Sequence, residues 1–227
     1  MIEFEPVCVR IAIHRLFSKG IFIALILCAG VPVESIGQTD EAGLRSEPVA
    51  VVAQLHSGLI SAGNSFAGAS IEERYAALEP LIIETHDLPY IARFAVRRYW
   101  ADLTDQQRIE FLTVFTRLSI ATYASRFHGL SEDTFNISGE TNTPRGHAEI
   151  NGTLLMNDSE PLKFTYVLHE SGADWRIINI IVDGVSDLAL KRAEYQRMFA
   201  DTGFSGLMDY LSGQIGELMQ TSSTNSE

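Results

Sequence analysis

The spacing of apolar residues changes twice along this chain, from helical to alternating after Gly129 and back to helical at Ser186. That order constrains the fold more than any single motif does. Between Glu47 and about Ala67, Val51, Leu55, Leu59 and Phe66 recur at helical spacing. Ser70 with Glu73 is a capping-box pair that opens a second helix through Tyr75, Leu78, Leu81 and Ile82. Asp87 followed by Pro89 starts a third, short helix ending near Tyr99 and Trp100. Thr104 with Gln107 caps the fourth and longest, which runs to about Phe127 before Gly129. On it Gln106, Glu110, Thr113 and Arg117 form a polar stripe, and Phe111, Leu112, Phe115 and Leu118 a broad apolar one that another layer must cover.

Three alternating runs follow. They are Phe135, Ile137 and Gly139; then Ala148, Ile150, Leu154 and Met156; then Leu162, Phe164, Tyr166 and Leu168. The breaks at 141–144, 157–160 and 171–174 are short and rich in turn residues, so they predict antiparallel hairpins. A fourth strand, Trp175 to Val182, is apolar on both faces, which predicts a central or sandwiched place. Asp183–Gly184 ends it, and Ser186 caps a helix through Leu188, Leu190, Tyr195, Met198 and Phe199. After Gly203 a last helix carries Phe204, Leu207, Leu211 and Ile215. The expectation is an α+β domain: one four-stranded antiparallel sheet flanked by N-terminal and C-terminal helices.

The first residues bear on compartment. Arg10, His14, Arg15 and Lys19 precede the apolar run Ile21–Val33, which is short for a membrane span and reads as an export signal over 1–37. Ser35 and Gly37 place cleavage before Gln38; an uncleaved anchor is the alternative. Cys28 follows Leu27, where lipid attachment wants a small residue. The expected layout is a signal at 1–37, a linker at 38–46, a domain at 47–219 and a polar tail at 220–227. Cys8 and Cys28 are the only two cysteines, so the cleaved product has neither disulfides nor thiolate metal sites.

Net charge is −12, and it stays so after removal of Glu3, Glu5 and Glu34 together with Arg10, Arg15 and Lys19. Such a chain repels phosphate backbones, so nucleic acid is excluded as a partner. It also repels anionic bilayers, so any membrane encounter needs a docking partner or an anchor.

Catalytic chemistry leaves little trace. Gly63-Asn-Ser65-Phe-Ala-Gly68 resembles a nucleophile elbow but sits in a helical segment with no strand before it. His56, His86, His128, His147 and His169 form no ligand spacing, and no phosphate-binding glycine loop occurs. No catalytic residue, metal ligand or cofactor is therefore assigned.

Two blocks carry a resemblance. One is Trp100-Ala-Asp-Leu-Thr-Asp-Gln-Gln-Arg108, continuing through Phe111, Phe115, Leu118 and Thr122-Tyr123; the other is Trp175, Asp183-Gly184-Val185-Ser186, Arg192, Tyr195, Gly203 and Leu207. Together they resemble the MlaC or toluene-tolerance family of periplasmic lipid-binding proteins, over about Glu47 to Met219. The segment Ser186-Asp187-Leu-Ala-Leu-Lys-Arg192 departs from phospholipid-binding members and is similar to a hopanoid-associated branch. The resemblance implies a periplasmic carrier with an apolar cavity. Its cargo would be a phospholipid or hopanoid, and its partners inner-membrane and outer-membrane complexes of an ABC-type lipid transport system.

A carrier needs apolar walls, since each methylene removed from water contributes ~0.8 kcal/mol. Phe111, Phe115, Leu118, Leu162, Phe164, Tyr166, Leu168 and Ile177 are the candidate walls. The same residues also suit an ordinary solid core. Trp100, Arg108, Trp175, Gly184, Val185, Ser186 and Arg192 are the motif positions. Gly184 reads as a special backbone position, Ser186 as a cap and Trp175 as a plug. Arg108 and Arg192 suit either a structural ion pair or an acidic lipid group. Two other readings compete: a hydrolase or isomerase using the cavity, and a structural adaptor with a packed interior.

Overall fold

Local capping sets the helix starts. The Ser70 hydroxyl accepts from Glu73 N–H while the Glu73 carboxylate accepts from Ser70 N–H. Thr104 and Gln107 repeat the reciprocal pair, and Asp87 Oδ1 accepts from Tyr90 N–H. The computed structural model describes residues 47–66, 68–126, 135–143, 146–155 and 160–221. The export segment, the linker and the tail from 222 lie outside them, as do Ala67, His128, Gly129 and Met156.

The elements are α1 (Pro48–Ser65), α2 (Ile71–Thr85), α3 (Leu88–Ala95), a 3-10 turn (Trp100–Asp102), α4 (Asp105–Arg126), β1 (Phe135–Asn142), β2 (His147–Leu154), β3 (Leu162–Ser171), β4 (Asp174–Val182), β5 (Val185–Ser186) and α5 (Asp187–Thr221). The third helix ends at Ala95, short of Tyr99, and Trp100 opens the 3-10 turn instead. α5 is interrupted at Gly203, whose φ of +71° and ψ of −170° are not helical. Beyond that break Leu207 and Leu211 are buried on the same core as Tyr195.

All strands join one antiparallel sheet in the order β1-β2-β3-β4-β5. The sheet thus has five strands, correcting the expected four. Val185 and Ser186, read as the loop and cap after the fourth strand, turn back on it and pair Val182↔Val185 and Ile181↔Ser186. Asp183 (φ +47°) and Gly184 (φ +83°) make the two-residue turn that permits this. Two residues are too few to show a period, so nothing in the spacing announced the strand.

Alternation explains which face is covered. In β2, Ala148, Ile150 and Leu154 are buried; in β3, Phe164, Tyr166 and Leu168 are. Register aligns Ile150 with Tyr166 and Tyr166 with Ile180 on one face. β4 breaks the alternation with a register shift opposite Val167/Leu168, which buries Ile177 and Ile178 consecutively. That bulge is why the strand reads as apolar on both faces. Its edge away from β3 is occupied at both ends: β5 pairs near Val182, and His86 bridges to Ile177 with Asp87 N–H donating to the Ile177 carbonyl.

The core lies between this face and the helices. Val52, Leu55 and Leu59 of α1, Leu78 and Ile82 of α2, Phe111 and Phe115 of α4 and Tyr195 of α5 are almost fully buried. Each contributes roughly 1.5–3 kcal/mol by leaving water. Phe111, Phe115 and Tyr195 form an edge-on aromatic cluster that locks α4 to α5. On α4 the expected polar stripe is solvated, with Gln106, Glu110, Thr113 and Arg117 exposed.

Candidate functional site

Two concavities flank the core. An open groove of about 670 Å³ runs between α1 and β1, lined by Ser57, Ser61, Asn64 and Ser65 with His56, Ile60, Phe135 and Ile137. A more enclosed cavity of about 130 Å³ lies between α3, α4, β4 and the start of α5. The groove is larger but wide open and half polar. The cavity is walled by Leu88, Ile91, Phe115, Phe164, Ile177, Ile180, Val182 and Leu188, the surface an apolar guest needs. It is the candidate site.

Its walls follow from the fold. Asp87 caps α3 so that Leu88 and Ile91 face the β4 bulge. The register sets Val182 beside Phe164. Ser186 then starts α5 over the same strand: its hydroxyl accepts from Ala189 N–H and donates to Asn179 Oδ1, which also accepts from Leu188 N–H. Asn179 therefore ties the strand to the helix start and sets Leu188 in the wall.

Polar side chains also line the cavity: Ser119, Thr122, Tyr123 and Arg126 of α4, with His86, Asn179, Asp187 and Lys191. The Lys191 ammonium donates to both Asp187 carboxylate oxygens at 2.5 Å. His86 is buried. The Thr85 hydroxyl donates to the Leu81 carbonyl (2.7 Å), so toward His86 Nδ1 (2.9 Å) it accepts. Nδ1 carries the ring proton, and Nε2 accepts from the Tyr123 hydroxyl at 2.9 Å. Burial lowers the His86 pKa to about 4, keeping the imidazole neutral.

Of the eight candidate wall residues, Phe115, Phe164 and Ile177 line this cavity. Phe111 packs against Tyr195. Leu118 and Leu168 are buried in the core, Leu162 is half-buried at the start of β3, and Tyr166 bonds His56 toward α1. Arg108 pairs with Asp105 at 2.9 Å, bonds the Trp100 carbonyl and lies over the Trp100 ring. Arg192 lies over Phe94 at 5.5 Å, and Trp175 packs half-buried against the core. Sequence reasoning missed Leu88, Ile91, His86, Tyr123 and Lys191 as wall residues. Only Asp187 and Lys191 carried a local signal, an oppositely charged i,i+4 pair at a helix start.

Ser65 ends α1, with no strand leading into it. Among the described residues no group of three or more His, Cys, Asp or Glu could hold a metal ion.

Comparison with solved structures gives a phospholipid-binding protein from Ralstonia solanacearum, determined in complex with a phospholipid. It is 16% identical, with a TM-score of 0.67 over 77% of this chain and 100% of that one. The likeness is one of fold. Comparison with curated proteins gives no match. The family model described as MlaC protein matches residues 56–213, a span containing all five strands and every wall of the cavity. The chain belongs to the MlaC family.

Proposed function

We propose that this protein is a periplasmic lipid carrier that takes the apolar part of a membrane lipid into the cavity between α3, α4, β4 and α5. The observation that carries this reading is the apolar wall of Leu88, Ile91, Phe115, Phe164, Ile177 and Leu188 in an MlaC-family chain. The structural relative from Ralstonia, described as phospholipid-binding, supports it. Cargo is a phospholipid or a hopanoid, carried without chemical change between membrane-bound complexes of an ABC-type lipid transport system. With a net charge of −12 the carrier needs such docking partners, because anionic bilayers repel it.

The cavity of about 130 Å³ is smaller than the roughly 300–1,000 Å³ of typical ligand pockets, so loading requires its walls to part. Phe115, Phe164 and Ile177 meet the tail first. Phe111, Leu118, Leu162, Tyr166 and Leu168, packed behind or beside them, come within reach as the space widens.

Native mass spectrometry of protein purified from membranes, followed by lipid extraction, tests the proposal. Stoichiometric intact lipid is expected. Converted lipid would indicate a hydrolase or isomerase, and absence of lipid a structural adaptor.

A further inference from the structure

We propose that the exposed side of α3, the turn after it and the first half of α5 form a docking surface for an acidic protein partner, built on Arg93, Arg97, Arg98 and Arg192; the inference rests on the carrier reading above, which calls for docking partners. The sequence concentrates positive charge here. Residues 88–101 hold three arginines and no Asp or Glu, in a chain whose net charge is −12. α5 packs on this segment, with Phe199 stacked on Tyr99 at 4.2 Å and the Gln196 amide donating to the Ala95 carbonyl. Its stretch 187–202 is balanced, Lys191, Arg192 and Arg197 standing against Asp187, Glu194 and Asp201. Those three carboxylates are engaged within the helix. Asp187 accepts from Lys191, Glu194 accepts from the Tyr210 hydroxyl, and Asp201 pairs with Arg197 at 3.8 Å.

The four arginines lack such partners. All are exposed, and among the described residues none of their side chains pairs with a carboxylate or donates a hydrogen bond. Aromatic rings position them instead. The guanidinium carbons of Arg97 and Arg192 lie 5.7 and 5.5 Å from the centroid of one ring, Phe94, and that of Arg98 lies 5.7 Å from the centroid of Tyr99. Phe94 stacks on Tyr90, and Arg93 precedes Phe94 in the last turn of α3. A guanidinium laid on a ring face keeps its fork of N–H donors for a carboxylate. Two like charges at one ring repel each other, and an anionic partner relieves that repulsion. Arginine among half-buried aromatics is also the composition of protein interfaces. A bilayer would meet a broad side of a strongly acidic molecule, whereas a protein partner need meet only the patch, within a Debye length of about 8 Å at physiological salt. Leu88 and Ile91 of α3 and Leu188 of α5 line the cavity, so a partner seated on these two elements holds two of its walls.

A fluorescent ten-residue glutamate peptide serves as the acidic probe, a glutamine peptide of the same length as its uncharged control, and vesicles equimolar in phosphatidylglycerol and phosphatidylcholine as the anionic bilayer. Binding to the purified chain is read by anisotropy for the peptides and by co-sedimentation for the vesicles. The glutamate peptide is expected to bind at low salt, the glutamine peptide not, and the affinity to fall as salt rises to about 150 mM. Arg97→Gln with Arg192→Gln is expected to weaken binding about fivefold or more, the worth of two exposed ion pairs. Arg93→Gln with Arg98→Gln, which leaves both cations on Phe94, should do the same. Arg117→Gln with Lys163→Gln removes two exposed cations of α4 and β3 and changes net charge equally, so it should alter affinity by less than about twofold. No binding of the glutamate peptide, or equal losses in all three double variants, overturns the inference. Vesicle binding that the patch variants abolish assigns the surface to a bilayer, and a concentration-dependent dimer that they abolish assigns it to a second copy; either result overturns the inference as well. Native mass spectrometry of the same preparation separates it from the reading it rests on. Intact lipid without peptide binding leaves the carrier and removes this docking surface, whereas absence of lipid overturns the carrier reading and the docking role with it.

Discussion

The Tyr166 hydroxyl and His56 Nε2 share a 2.8 Å hydrogen bond that joins β3 to α1 across 110 positions of chain. Phe135 stacks on the same imidazole with centroids 4.1 Å apart, so water is kept from the ring. Desolvation lowers the His56 pKa to about 4 and, by the same cause, that of His86 to about 4. In the unfolded chain both take up a proton near the ordinary 6.5; in the folded protein neither does until about 4. Between those values the unfolded state binds more protons, so stability falls as pH drops through the window and levels off below it. At about 1.4 kcal/mol per pKa unit, each histidine accounts for a loss of at most roughly 3.5 kcal/mol. Urea melts from about pH 7 to about pH 4 should show the decline, and His56→Phe should flatten part of it. An unchanged slope in that variant would mean His56 titrates normally in the folded chain.

Filling the cavity and overfilling the core should have different consequences. Leu188 lies in the cavity wall at the start of α5, whereas Leu118 is buried outside that lining. Leu188→Trp should lower lipid retention several-fold with a small change in melting temperature. Leu118→Trp should overpack and cost about 1–3 kcal/mol before any effect on lipid appears. A thermal melt beside a lipid-loading assay on each variant decides. Equal destabilisation of the two would place Leu188 in a packed core.

Two glycines are required for different reasons. At Gly184 a Cβ would meet nothing within 4 Å, but φ is +83°, so Gly184→Ala should cost about 1 kcal/mol through the backbone alone. At Gly152 a Cβ would sit 2.6 Å from the Asn136 carbonyl oxygen on the neighbouring strand, which cannot yield without disturbing the β1–β2 ladder. Gly152→Ala should be the more damaging of the two, with loss of hydrogen-exchange protection confined to β1. Uniform loss across the sheet would contradict this.

Arg74 is a buried cation outside the cavity lining. Its Nε donates to the Ala124 carbonyl at 2.9 Å and its Nη1 to the Ala69 carbonyl at 2.6 Å, tying α2 to the end of α4. Arg74→Met keeps the stem but leaves both acceptors without this donor, so a loss of about 2–3 kcal/mol is expected in chemical denaturation. A loss below about 0.5 kcal/mol would show that water replaces the guanidinium without penalty.

Legibility in the sequence followed the range of the interaction. Ser70 with Glu73 and Thr104 with Gln107 act over three residues, and both capping pairs are formed as their spacing predicts. Phe164, Tyr166 and Leu168 alternate because a strand with one covered face must. What escaped depends on contacts between distant segments. Tyr123 reaches the cavity wall only because α4 ends beside His86, 37 positions earlier. Leu88 and Ile91 line the cavity only because α3 lies over the β4 bulge. Leu118 and Phe115 share one apolar stripe, and nothing local tells which of them borders empty space. The family resemblance, resting on Trp100–Arg108 and Asp183–Ser186, conveyed the fold through residues that cap, turn and pack.

Strand β4 meets His86 and β5 along its free side, and this bears on how molecules of this protein behave when concentrated. An unpaired strand edge is a template for pairing with another chain. Here the two-residue β5 and the single His86 bridge occupy that template at Val182 and at Ile177. At the opposite margin, β1 is kinked by a register shift between Ile137 and Gly139, and its second half reads Gly-Glu-Thr-Asn. An irregular, polar margin on one side and a blocked one on the other leave little regular edge for sheet-to-sheet self-association. On the proposed carrier reading, walls that part to admit a tail expose apolar surface for a time without offering a neighbouring copy a strand to join.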